Sequence, residues 1–189
     1  EEVLVSVEPY MDAVSSEYRE LYGYMRDNGL YDLDILASSS TLGVTVSLPA
    51  YRSAYILSSA QGSYLDVKTL IHEFGHFLNS YAVPSDLIFG AADYEICEMQ
   101  SIGMEFMATH WYEELFGPDT ARMLLLDSFF NSIINVMDGA MFDEFLQRVY
   151  AEEDLTKERV CEIYAELYKE YGNDVYDGYD KEWISVPHN

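Results

Sequence analysis

The chain has 189 residues, about half of them apolar, with 17 Tyr, 9 Phe and 2 Trp; this describes one folded domain with a sizeable core and excludes a disordered chain. Its 34 acidic residues against 10 basic ones leave a formal charge of −24, which repels nucleic acid and anionic membranes and argues against both as partners. No apolar run approaches the ~20 residues that cross a bilayer.

Apolar groups at Val7, Tyr10, Met11, Val14, Tyr18, Leu21, Tyr22 and Met25 recur every three or four positions. That spacing predicts one amphipathic helix over 3–27. Asp27-Asn28-Gly29 stops it, with Gly29 available for a left-handed cap. From 31 to 64 Ser, Thr, Val, Tyr and Gly dominate, with β-prone runs at 43–48 and 54–58 and Pro49 at a turn or sheet edge. Helical periodicity returns at Leu65 and holds to about Tyr81, behind the Ser-x-x-Asp start signal of Ser63 to Asp66. Val83-Pro84-Ser85-Asp86 then breaks the chain. Further helices are predicted at about 94–115, 119–150 and 156–171, and the stretch from Tyr171 reads as loop. The expected fold is mostly α (α+β), one domain over 1–189, with a small β element just before the helix that begins near Leu65.

That helix carries His72-Glu73-Phe74-Gly75-His76. Residues four apart share a helix face, so two imidazoles fit two corners of a tetrahedral zinc site. Glu73 would flank the metal without binding it and accept a proton from the water there. Gly75, lacking a side chain, lets another segment approach closely. The chain has only 4 His, two of them at this spacing, and the flanks are apolar, so the pair needs partners. The competing reading is a pair of helix histidines satisfied by ordinary hydrogen bonds.

A catalytic site needs a third protein ligand. The next helix offers Glu95, Glu98 and Glu105, with Glu98 and Glu105 on one face. Met99, Ile102 and Met104 would pack around Glu98, and Met99, Met104 and Met107 read as core filler. Most carboxylates of so acidic a chain are simply solvated. His110 reads as a helix-surface or helix-end residue. Cys97 and Cys161 lack metal-type spacing, which argues against a disulfide scaffold and for a reducing, cytoplasmic setting.

Taken together, these residues resemble the zinc peptidases that include oligoendopeptidase F and thimet oligopeptidase. The segment 54–78, "AYILSSAQGSYLDVKTLIHEFGHFL", is similar to that family's strand, Gly-turn and metal-binding helix, and "CEMQSIGMEF" to its third-ligand helix. "SLPAYRSAYI" is similar to the segment leading into its substrate-binding edge strand. The likeness covers essentially the whole chain, with the specific motifs within 48–106. It implies a zincin-like catalytic domain in which Zn2+ is held by His72, His76 and Glu98, with Glu73 as general base and acid. It also implies that Glu105 steadies a ligand imidazole and that Tyr55, Ile56 and Leu57 present backbone groups to an extended peptide. The activity implied is hydrolysis of internal bonds in short peptides.

The departures are specific. Asn79 stands where the family usually has a histidine. "STLGVTVS" replaces a Gly-rich stretch. His188 stands at the position of a catalytic histidine, and the tyrosines that follow it in the family are missing; Tyr176 and Tyr179 precede it and are not substitutes. With no initial Met and no large N-terminal region, the chain reads as a catalytic piece truncated at both ends relative to the family, with residual activity at most. Alternatives are a zinc carboxypeptidase type, which shares the Glu-x-Gln-Ser segment, and an inactive zinc-stabilised helical binding module. The acidic surface serves solubility or favours basic peptides.

Overall fold

The computed structural model describes residues 2–34, 43–83 and 94–185, with side chains for all of these except 94–97. The fold is mostly helical with a small mixed sheet. It comprises two compact units, 1–125 and 126–189.

The first amphipathic run is two helices, α1 (Glu2–Val14) and α2 (Ser16–Asp27). Ser15 interrupts the expected single helix. It is extended, at φ −169° and ψ 161°, and its hydroxyl accepts from the Tyr18 N–H. Serine competes for backbone groups in this way, so periodicity alone overlooked the cap. Both helices still bury the expected face: Val7, Tyr10 and Met11 from α1, Tyr22 and Met25 from α2. Gly29 takes the left-handed conformation, φ +60°, at the end of α2.

The sheet contains β1 (Tyr31–Asp32), β2 (Gly43–Leu48) and β3 (Ser53–Ser58), in the order β1-β3-β2. β2 and β3 run antiparallel, from Gly43 opposite Ser58 to Leu48 opposite Ser53, joined through a 3-10 turn at Pro49–Tyr51. β1 lies parallel on the other side, with Tyr31 opposite Ile56 and Asp32 opposite Leu57. This corrects the expectation for Tyr55, Ile56 and Leu57. They sit on the central strand: the Ile56 N–H already donates to Leu30 O, and Ile56 is fully buried. Among the described residues, β2 is the long strand with one side unpaired.

Helix α3 (Tyr64–Ala82) starts as its sequence signals. Ser63 caps it, and the buried Asp66 carboxylate accepts from the N–H groups of Gln61, Gly62 and Ser63. Helix α4 (Tyr94–Ala108) packs along α3, and the sheet packs on α3 as well. The predicted helix 94–115 is broken: a 3-10 turn at Thr109–Trp111 leads into α5 (Tyr112–Phe116). The Thr109 hydroxyl donates to Phe106 O at 2.7 Å, a local bond that competes with the helix ladder. Along α4 the buried face is Ser101, Met104 and Ala108. Met99 is 71% exposed, and Ile102 and Met107 are also exposed, so of the methionines expected as core only Met104 is one. Helical spacing turns 99 and 107 away from the 101/104/108 stripe.

Helix α6 (Pro118–Ala151) runs on into the second unit, where its residues Met141 and Phe145 pack with Val160, Ile163, Tyr164 and Leu167 of α7 (Lys157–Glu170). The stretch after α7, expected as loop, includes a 3-10 segment at Tyr179–Ser185. No helix among the described residues is long and apolar enough to cross a membrane.

Candidate metal centre

Helix α3 places His72 and His76 on adjacent turns, half-buried, with their rings at 79° and their Nε2 atoms 3.2 Å apart. Helix α4 crosses at Gly75. A Cβ there would stand 2.6 Å from Ser101 Cα and 3.1 Å from Gln100 O, so only glycine permits this approach. The crossing delivers Glu98: its Oε2 lies 3.4 Å from His72 Nε2 and its Oε1 3.4 Å from His76 Nε2. The buried Ser101 hydroxyl donates to Glu98 Oε2 at 2.7 Å and fixes that carboxylate.

Glu105, two turns further along α4, accepts from His72 Nδ1 at 2.6 Å. That bond puts the ring proton on Nδ1 and leaves the Nε2 lone pair facing His76 and Glu98. Burial lowers the His72 pKa, but the Glu105 hydrogen bond and the charges of Glu105, Glu98 and Glu73 outweigh it, and the net direction is up.

The donor set fits zinc. Two ligand atoms at tetrahedral corners about 2.0–2.1 Å from a metal stand about 3.3 Å from one another. Here the two Nε2 atoms are 3.2 Å apart and each lies 3.4 Å from a different oxygen of Glu98, so the carboxylate spans the pair. One ligand atom from each residue lies within 4.8 Å of the others. Two imidazole nitrogens facing each other at 3.2 Å need a proton or a cation between them.

Glu73, the residue after His72, is not one of the three converging residues but lies close enough to feel the charges of His72 and Glu98. It is 5% exposed, and Thr45 of β2 donates to its Oε2 at 2.6 Å. Burial pushes its carboxyl pKa up, the Thr45 hydrogen bond and His72 oppose this, and the Glu98 charge adds to it.

The structure therefore brings His72, His76, Glu98 and Glu105 together, with Glu73 alongside. It does not bring Tyr55, Ile56 and Leu57 to an open edge. His188 lies outside the described residues, as does the Glu95 side chain. His110 is exposed at a helix end, as expected. In the second unit Tyr176 meets the Tyr168 ring edge-on and Tyr179 meets it at a tilt. Sequence reasoning gave no role to Ser101 or Thr45. Ser101 had a signal, a serine three past a candidate ligand on a helix. Thr45 had none, because its partner lies across the sheet-helix interface.

The model of peptidase family M3 matches residues 38–186. The chain belongs to peptidase family M3. Oligoendopeptidase F, chromosomal, of Lactococcus lactis subsp. cremoris is 30% identical over 71% of this chain and 24% of its own length. Oligopeptidase PepF of Bacillus subtilis is 25% identical over 89% of this chain and 27% of its own. The chain thus spans about a quarter of these M3 relatives. Among solved structures, PZ peptidase A with an inhibitor superposes with a TM-score of 0.77 at 23% identity, over 96% of this chain and 32% of that one. A Bacillus anthracis protein assigned as an oligoendopeptidase F gives 0.74 at 24% identity, over 89% and 31%. At those identities the likeness is one of fold: this is the helical M3 peptidase architecture.

Proposed function

We propose that this chain carries the zinc centre of an M3 metalloendopeptidase that hydrolyses internal bonds of short peptides. The observation that carries the reading is the convergence of His72, His76 and Glu98, whose Nε2 atoms stand 3.2 Å apart and each 3.4 Å from one of the two Glu98 oxygens, beside a buried carboxylate. Zinc held there would supply a Lewis acid and lower the pKa of water to about 7.

The chain's own residues would do the rest. Glu105 holds His72 in the tautomer that can bind metal, and Ser101 holds Glu98. Glu73, buried and with its pKa raised, takes the proton of the attacking water and passes it to the leaving amine. The side of β2 that is unpaired among the described residues would offer N–H and C=O groups to an extended peptide, which would add a strand to the sheet. That role moves from Tyr55–Leu57 to β2, because β3 is already paired on both sides. His188 remains the candidate for polarising the scissile carbonyl. Short peptides in the cytoplasm are the substrates this reading expects.

The test is zinc content after metal repletion together with cleavage of a fluorogenic peptide. About one zinc per chain, lost in Glu98→Ala, with cleavage abolished by Glu73→Gln at unchanged zinc, is the expected result. Zinc without cleavage in the unsubstituted chain would point to a structural site. No zinc would overturn the reading.

A further inference from the structure

We propose that Thr45 is a positioning residue for the general base: from β2 its hydroxyl holds one oxygen of the Glu73 carboxylate, leaving the other for the attacking water. This rests on the peptidase reading above. Thr45 Oγ1 is 2.6 Å from Glu73 Oε2 and 2.9 Å from the main-chain oxygen of the same residue. A hydroxyl has one proton, and the ionised carboxylate is the stronger acceptor, at a distance typical of a charge-assisted bond.

Two residues earlier on β2, and so on the same face, Gly43 makes the room. A Cβ there would stand 2.8 Å from Glu73 Oε1, 2.9 Å from its Cγ and 2.7 Å from Thr69 Cγ2. Any larger side chain at 43 would push the carboxylate away. A free glutamate loses rotamer freedom on being ordered; here one bond and one absent side chain order it before substrate arrives. The same strand offers its outer side to the peptide, so docking and alignment of the base share one element.

The experiment compares Thr45→Val and Thr45→Ser with the unsubstituted chain. Thr45→Val should keep about one zinc per chain and a KM within about twofold, while kcat falls roughly ten- to a hundredfold, the effect of a misplaced group. Thr45→Ser, which keeps the hydroxyl, should restore kcat to within about threefold. An unchanged kcat in Thr45→Val, with zinc bound, would overturn this inference and leave the peptidase reading standing. Absence of zinc from the unsubstituted chain would overturn both.

If zinc binds but cleavage is too slow to measure, a double-mutant cycle on the unfolding of the metal-free chain decides. Thr45→Val should shift the unfolding equilibrium about tenfold or more when Glu73 is present and far less in Glu73→Ala. Equal shifts in the two backgrounds would sink the proposal.

Discussion

His72 Nδ1 and Glu105 Oε1 lie 2.6 Å apart, so a carboxylate two turns beyond Glu98 decides which imidazole nitrogen is left facing His76 and Glu98. Partners of this kind typically alter metal affinity ten- to a hundredfold. Glu105→Ala should therefore keep about one zinc per chain but bind it ten- to a hundredfold more weakly in a chelator competition. Equal affinities would show that the tautomer is held some other way.

Gly75→Ala tests the crossing of α3 and α4. Alanine gains about 1 kcal/mol of helix propensity over glycine. Its Cβ, however, would meet Ser101 Cα at 2.6 Å, and backbone cannot swing aside. The expected net effect is a loss of about 1–3 kcal/mol in urea unfolding, with weaker zinc binding because Glu98 rides on α4. A gain in stability would mean that the helices separate without strain.

Asp66→Ala removes a buried carboxylate that accepts from three backbone N–H groups. Those donors would lose their common acceptor at the entry to α3, the helix that carries His72 and His76. The expected cost is about 2–3 kcal/mol, given about 1.5–3 for a single hydrogen bond to a charged group and partial rescue by water. A shift below 0.5 kcal/mol in the same assay would contradict it.

Alkaline stability follows from Tyr10 and Tyr22. Both are fully buried, and their hydroxyls donate to Met104 O and Leu4 O at 2.9 Å. Burial, chiefly, pushes both pKa values far above the usual tyrosine range. The unfolded chain loses these protons first, near pH 10. The stability tied to them is whole below that pH and drains as pH rises toward the folded values, by about 1.4 kcal/mol per pH unit for each group. Tyr10→Phe and Tyr22→Phe should each flatten the fall of the urea midpoint between pH 10 and 11. An unchanged slope would show that these hydroxyls already reach solvent.

Much of this protein was legible without coordinates because the relevant physics is local. The i, i+4 spacing of His72 and His76, the Ser63–Asp66 start signal and the left-handed Gly29 are written within one or two helical turns, and the mostly helical class follows from periodicity. The break at Ser15 is local too, but a serine in an amphipathic run reads as helix or cap with equal ease.

Tertiary structure decided the rest, because each remaining question concerns groups far apart in the chain. Glu98 and Glu105 share a face of α4, and only the crossing at Gly75 sets one beside both Nε2 atoms and the other behind His72. Strand order cannot be read from β-propensity, so β3 looked like an edge until β1 was found paired to it. Thr45 meets Glu73 across 28 positions of sequence. Pattern shows which faces are apolar and which residues share them; which polar groups meet depends on how those faces pack, and at this site that packing assigns each carboxylate its neighbours.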